Sequence, residues 1–296
     1  MKYVTVTLNP ATDQSYTLSV PFRTGTLNRA SKMSDITFSG KGINISRELL
    51  RLGVDSKAVC LIGTGDGETF YNSLLSENLN LFAVKTVGRV RRNVSVIDSE
   101  GVIVEVNEPG DEVPLEDVLK VFSMFDRATS AKEEKVVFIS GSAPPGFRND
   151  VYKRFVLGAR ASGAYVVLDA DGELLRRGIE GHPDLIKPNE DELCRLTERT
   201  FEGDDETVRA DVLEACRELF ERTGCAVLCT LGAKGSVYAG AEGSYVCPAT
   251  PARPNKFKGA GDVFLARFVL ERKEHEQSVA EAMRRASDGA ARYLEA

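Results

Sequence analysis

Three features of this 296-residue chain predict an α/β fold built on a doubly wound parallel sheet. Short runs rich in Val, Ile, Leu and Cys recur at residues 3–8, 58–62, 135–140, 164–169, 184–187 and 226–231. They are nearly continuous rather than alternating, the pattern of parallel strands covered on both faces. Stretches of helical period lie between them: Ile45, Leu49 and Leu52 recur at i, i+4, i+7, and Val212, Ala215, Cys216 and Leu219 share one stripe of residues 208–222. Strand and helix in alternation specify helices on both faces of one sheet, a three-layer αβα core.

Two segments break that rhythm. Residues 14–38 and 84–107 alternate apolar with polar, as in Val94-Ser95-Val96-Ile97-Asp98 and Val102-Ile103-Val104-Glu105-Val106, with Ser99-Glu100-Gly101 as the turn between. Period two predicts half-exposed antiparallel strands, here a small β-sheet lid inserted in the core where it could cover a site. The chain shows no internal repeat or low-complexity linker, so residues 1–296 read as one domain carrying that lid.

Composition narrows the function. With 42% apolar and 28% charged residues, the chain supports an ordinary core and global disorder is excluded. Lys plus Arg number 38 against 44 Asp plus Glu, a net −6 that disfavours a protein coating nucleic acid or an anionic membrane. A local basic pocket for a phosphorylated metabolite stays open. No apolar run reaches the ~20 residues of a membrane span, and the first eight residues read as a strand, not a signal peptide. The expected compartment is the cytoplasm. The six cysteines (60, 194, 216, 225, 229, 247) form no CxxC pair and read as reduced, mostly buried thiols. His182 and His275 stand far apart, which supports neither a histidine metal site nor a Ser-His-Asp hydrolase.

Five constellations carry chemistry, in chain order. Asn9-Pro10-Ala11-Thr12-Asp13 ends the first strand, where Asp13 could bond sugar hydroxyls. Ser39-Gly40-Lys41-Gly42-Ile43-Asn44 precedes the first long helix, a glycine-rich turn with one cation and one amide. It reads equally as a binding loop or a tight strand–helix turn, and it is not the G-x-x-x-x-G-K-[ST] phosphate loop. In Asp184-Leu185-Ile186-Lys187-Pro188-Asn189-Glu190-Asp191-Glu192, Asn189 and Glu192 have capping-box spacing. The same pair could face a hydrated divalent cation. Thr230-Leu231-Gly232-Ala233-Lys234-Gly235 fits a nucleotide turn or a plain hairpin. Gly259-Ala260-Gly261-Asp262 opens a helical run over residues 263–272. Its glycines let a ligand approach and its free amides suit an anion. An aspartate there would compete with the anion as a mere cap and makes better sense as a base beside a transferring group, while the tetrapeptide alone fits equally a Gly-rich turn with Asp262 stabilising the helix start.

With Asn107-Glu108-Pro109-Gly110 and Ser140-Gly141-Ser142-Ala143-Pro144-Pro145-Gly146, these motifs form an ordered series over nearly the whole chain. The series resembles the ribokinase-like (PfkB) carbohydrate kinases, nearest their 1-phosphofructokinase and tagatose-6-phosphate kinase branch. The resemblance implies a ribokinase-like αβα core, a β lid that often pairs two copies as a homodimer, and Mg²⁺-dependent transfer of the ATP γ-phosphoryl group to a sugar phosphate. It implies Asp262 as the base, with the amides of Gly259, Ala260 and Gly261 as the anion hole. It assigns Asp13, Gly40, Lys41 and Asn44 to the sugar and Arg91 to the substrate phosphate. Lys187, Thr230, Gly232 and Gly235 fall to ATP, and Asn189 and Glu192 to Mg²⁺ through water. Fructose 1-phosphate is the implied acceptor, from Arg91 and residues 107–110; tagatose 6-phosphate is the alternative.

The chain departs from the family pattern at Ser39, Phe257, Lys258, Val263 and Arg267, and Ala296 stands about one helix before the usual end. Phe257 and Lys258 bear on the nucleotide pocket, and Lys258 reads as a solvated side chain or a phosphate contact. These departures leave a second class open, a sugar-phosphate-binding protein whose catalysis has decayed. A nicotinamide dehydrogenase is disfavoured because G-x-G-x-x-G is absent.

Overall fold

A computed structural model describes residues 1–256 and 258–296. Strand β1 (Lys2–Thr7) is followed by β2 (Ala11–Thr17), β3 (Lys32–Met33) and β4 (Thr37–Ser39), then by helix α1 (Lys41–Arg51). Next come β5 (Ser56–Gly63), α2 (Gly67–Ser76), β6 (Asn80–Thr86), β7 (Arg91–Ile97), β8 (Ile103–Asn107) and α3 (Leu115–Thr129). The chain continues through β9 (Lys135–Ser140), α4 (Val151–Ala161), β10 (Tyr165–Asp169), α5 (Gly172–Ile179), β11 (Leu185–Ile186), α6 (Glu190–Thr197) and α7 (Asp205–Thr223). It closes with β12 (Ala226–Thr230), β13 (Ser236–Gly240), β14 (Gly243–Cys247), α8 (Ala260–Lys273) and α9 (Val279–Glu295).

Nine strands form the main sheet, in the order β14-β13-β12-β11-β10-β9-β1-β5-β6. It is parallel from β6 to β12, and β13 and β14 return antiparallel at one edge. The continuous apolar runs have the expected cause, because successive side chains enter different layers. Val4, Val6, Val137, Ile139, Val166 and Leu168 pack under α3 to α7, while Tyr3, Val136, Phe138 and Val167 pack under α1, α8 and α9. The chain winds outward from β1 to β5 and β6, then crosses back to β9 on the other side of β1. That reversal opens a crevice at the carboxyl ends of β1 and β9, where doubly wound sheets bind ligands.

The smaller sheet has the order β3-β2-β7-β8, with β4 also on β2. The β7–β8 hairpin is antiparallel, but β2 and β7 pair in parallel from Ala11↔Arg91 to Thr17↔Ile97. Its bounds also differ from segments 14–38 and 84–107. It begins at Ala11, and residues 84–86 belong to β6, the edge of the main sheet. The cause is its edge position: β6 is only partly covered, and its last residues, Val84-Lys85-Thr86, alternate buried and exposed like a strand of the smaller sheet. No helix among the described residues is long and apolar enough to cross a membrane.

Candidate active site

Helix α1 approaches the end of β1 so closely that only glycine fits between them. A Cβ on Gly42 would lie 2.5 Å from Thr7 Oγ1 and 2.7 Å from the Val6 carbonyl. This packing carries Lys41 and Asn44, in the first turn and a half of α1, to the mouth of the crevice. Lys41 Nζ donates to Asp169 Oδ1 at 2.8 Å and stands 3.9 Å from Glu192 Oε1. Asp169 is the last residue of β10, on the α1 face, and it is fully buried. Lys187, just past β11 and only 4% exposed, reaches the same oxygen at 3.4 Å.

Helix α8 enters from the other side. Its N-cap, Gly259, has φ +88°, and a side chain there would meet the Tyr293 hydroxyl at 2.6 Å. The Asp262 and Val263 amides already donate to the Gly259 carbonyl. Ala260 and Gly261 lie in the first turn, where a helix leaves N–H groups without internal partners. Lys187 Nζ flanks this turn, 3.9 Å from where a Cβ on Gly261 would sit. Asp262 follows at the third helical position, 7% exposed, and its Oδ2 accepts from Asn44 Nδ2 at 2.8 Å.

The charges of this cluster govern one another. Burial, reinforced by the Asp169 charge, pushes the Asp262 carboxyl up to about 6, against the opposing pull of Lys41, Asn44 and Lys187. Burial pulls the same way on Asp169, but Lys187 and Lys41 outweigh it and hold that carboxyl below its ordinary value. Burial lowers the Lys41 amine, and Asp169, Glu192 and Asp262 together more than reverse it. One carboxylate is thus favoured in its ionised form between two cations, while its neighbour is pushed up to about 6.

Asn189 and Glu192 form a full capping box. Glu192 Oε2 accepts from the Asn189 amide at 2.8 Å, and Asn189 Oδ1 accepts from the Glu192 amide at 2.7 Å. The cap uses one Glu192 oxygen and turns the other toward Lys41, so capping and facing the crevice are compatible. Burial is the main cause that raises the Glu192 carboxyl, and Asp169 adds to it. A hydrated cation would supply the missing compensation. Among the described residues no three Asp, Glu, His or Cys side chains converge as a metal cage. A Mg²⁺ ion carried on phosphates and keeping its waters needs only one or two carboxylates, so this donor set fits it.

Asn189 bridges to Thr230 at the end of β12, which brings Thr230 beside the capping box. Gly232 opens a 3-10 turn, Gly232–Lys234, and its own chain neighbours aside, no atom of the described residues lies within 4 Å of its would-be Cβ. Gly235 is different: its Cβ would meet the Cys247 carbonyl at 2.2 Å, so packing against β14 accounts for this glycine. The turn belongs to the β12–β13 hairpin, tied to α6 by Lys234 on both Glu190 oxygens at 2.9 Å.

Asp13 and Arg91 sit at the other end, on the smaller sheet. Asp13 Oδ1 accepts from Asn93 Nδ2 at 2.8 Å, and its Oδ2 accepts from the Ser39 hydroxyl beside Gly40. Arg91 donates to the carbonyls of Asn9 (3.2 Å) and Glu108 (3.1 Å), and burial is the main cause that depresses its pKa. It lines an open cleft of about 420 Å³ with Asn9, Asn107, Ser142, Phe147 and Asn149. Arg91 does not join the Asp262 cluster directly. The two ends connect through Asn9, which donates to Ser142 at 3.2 Å, and through Gly141, which packs on Lys41.

Besides Ser39, which bonds Asp13, the departures at Lys258, Val263 and Arg267 have visible outcomes, Arg267 reaching Glu48 of α1. Lys258 is partly solvated, and its Nζ pairs with Glu105 of β8 at 3.2 Å, joining the smaller sheet to the approach of α8. Val263 is buried. Phe257 lies outside the described residues. Asp169, the hub of the cluster, is missing from the motif-derived residues. Its one signal was a carboxylate at the carboxyl end of a buried strand.

Residues 7–294 match the pfkB family carbohydrate kinase profile. The chain is 32% identical over 266 residues to the 1-phosphofructokinase of Bacillus subtilis (strain 168), covering 90% of this chain and 84% of that one. It is 31% identical over 257 residues to the D-tagatose-1-phosphate kinase of Bacillus licheniformis, covering 87% and 81%. Among solved structures, a point mutant of Escherichia coli phosphofructokinase-2 superposes with a TM-score of 0.86 at 23% identity, covering 100% of this chain and 94% of that one. The chain belongs to the pfkB family of carbohydrate kinases.

Proposed function

We propose that this kinase transfers the γ-phosphoryl group of ATP to a hydroxyl of a sugar phosphate, with fructose 1-phosphate as acceptor and fructose 1,6-bisphosphate as product. The observation that carries the reading is the Asp262 carboxyl, buried at the amide-rich start of α8 and pushed up to about 6, chiefly by that burial. A base poised there takes a hydroxyl proton efficiently at physiological pH.

In this reading Asp262 accepts the acceptor proton as the sugar oxygen attacks phosphorus. The amides of Gly259, Ala260 and Gly261, with the helix dipole and Lys187, receive the charge on the transferred group. Lys41 and Asn44 hold the sugar with Asp13 and Gly40, and Arg91 faces the phosphate it already carries. Thr230, Gly232 and Gly235 line the nucleotide side. Mg²⁺, faced through water by Asn189 and Glu192, would offset phosphate charge. Residues 1–296 act as one unit, with the smaller sheet covering the crevice against water. Its exposed apolar residues Met33, Ile103 and Val106 suit pairing with a second copy, which light scattering at micromolar concentration tests.

The direct test is ADP release with ATP and Mg²⁺ over fructose 1-phosphate, tagatose 6-phosphate and fructose 6-phosphate. Highest kcat/KM with fructose 1-phosphate is expected. Highest kcat/KM with tagatose 6-phosphate replaces the acceptor. Binding of a sugar phosphate without turnover replaces the enzyme with a binding protein.

A further inference from the structure

Asn44 holds Asp262 through an amide whose two ends differ chemically, and a second contact determines which end faces the carboxyl. Arg47, one turn along α1, donates from Nη1 to Asn44 Oδ1 at 3.2 Å. Arg47 is itself braced by both carboxylate oxygens of Glu77, which caps the carboxyl end of α2; Nη2 reaches Oε1 at 2.7 Å and Nε reaches Oε2. A guanidinium only donates. The amide facing it must therefore present its oxygen, and the same amide then presents its NH₂ to Asp262 Oδ2, where it lies at 2.8 Å.

We infer that Arg47 and Glu77 are positioning residues that lock the Asn44 amide in one orientation, reserve Asp262 Oδ2 as an acceptor, and leave Asp262 Oδ1 as the atom that takes the proton. This rests on the reading of Asp262 as the base. In the step, the acceptor O–H bond breaks, its proton forms a bond with Oδ1, and its electron pair stays on the oxygen that attacks the γ-phosphorus, while the bond from that phosphorus to the bridging oxygen breaks and its pair leaves with ADP. Asn44 has one further N–H to offer the sugar, and its oxygen is held on Arg47. Without Arg47 the amide is free to turn its oxygen toward Asp262, an arrangement that suits the protonated acid and opposes its ionisation.

Other groups also act on Asp262: Lys41 from α1, Asp169 from the end of β10, Lys187 from beyond β11, and Tyr293 from α9. Arg47 adds its own positive charge, so the test has to separate charge from orientation. The experiment follows the Asp262 carboxyl by ¹³C NMR titration in ligand-free wild type, Arg47→Met, Asn44→Ala and the double variant, with Asp262→Asn identifying the resonance. Acting through the amide, Arg47→Met lowers the proton dissociation constant about tenfold, one pH unit, and leaves it unchanged in the Asn44→Ala background. An equal shift in both backgrounds assigns the effect to charge alone and overturns the inference, as does no shift in either. Arg47→Lys keeps one donor and restores most of the wild-type value. Turnover of Asp262→Asn tests the base separately: near-normal turnover removes that role, while the titrations still report on the amide.

Discussion

Lys41 Nζ and Asp169 Oδ1 lie 2.8 Å apart at the crevice mouth, with Asp169 fully enclosed and a second ammonium, Lys187, on the same oxygen at 3.4 Å. A single buried carboxylate thus holds a residue of α1 and a residue beyond β11 in register with the start of α8. Asp169→Asn leaves Lys187 buried without its counter-charge and is expected to destabilise the fold by about 3–5 kcal/mol. The Asp169 charge also raises the Asp262 carboxyl, so its titration midpoint should fall in the same variant. Denaturant unfolding at pH 7 and the Asp262 titration check both; a loss under ~1 kcal/mol contradicts the role of Asp169 as hub.

The Asp262 carboxyl is itself a source of instability. Its native value near 6 lies above the ordinary 3.8, so the folded state binds more protons than the unfolded state between those values. Stability therefore falls as pH rises from about 4 to 6, by about 3 kcal/mol for a shift of about two units. Asp262→Asn is expected to be more stable than wild type at pH 8 by up to about that amount, and no more stable at pH 4. Thermal unfolding at the two pH values checks the sign.

Arg267 of α8 reaches buried Glu48 of α1 at 2.5 Å by passing over Gly289 of α9. A Cβ on Gly289 would lie 2.1 Å from Arg267 Cδ. Gly289→Ala is expected to cost about 1–3 kcal/mol by overpacking. Because the two positions share one space, the cost of Gly289→Ala should shrink in an Arg267→Ala background. Additive losses in denaturant unfolding contradict the shared-space account.

The Lys258–Glu105 pair is partly exposed, and its charge is available to salt. Glu105→Gln is expected to change global stability by less than about 1 kcal/mol. Hydrogen exchange in β8 should nevertheless rise, because this pair joins the smaller sheet to the approach of α8. About 1 M salt should bring wild type toward the variant. Equal β8 exchange in both proteins at low salt removes the tether.

The layers of the main sheet were legible because strands such as β9 and β10 are apolar on both faces, a pattern with few other solutions. The β7–β8 hairpin was legible from alternation about Ser99-Glu100-Gly101. The parallel pairing of β2 with β7 was not, since alternation reports which face is buried and says nothing of strand direction. Asn189 and Glu192 showed their capping box as a spacing, but the spare Glu192 oxygen near Lys41 is a tertiary fact. Asp169 escaped because one carboxylate ending a strand carries no motif. The pairing of Lys258 was not legible because its partner, Glu105, lies 153 residues earlier in the chain.

The pH dependence of kcat, measured from pH 4.5 to 8 with ATP, Mg²⁺ and the acceptor that turns over best, tests the central claim most directly. The account predicts a loss approaching tenfold per pH unit below about 6, set by protonation of Asp262. It also predicts a loss on the order of 10²–10⁴ in Asp262→Asn at pH 7.5, with the acid limb abolished. A kcat that stays level between pH 5 and 7, or an Asp262→Asn variant that turns over like wild type, contradicts it.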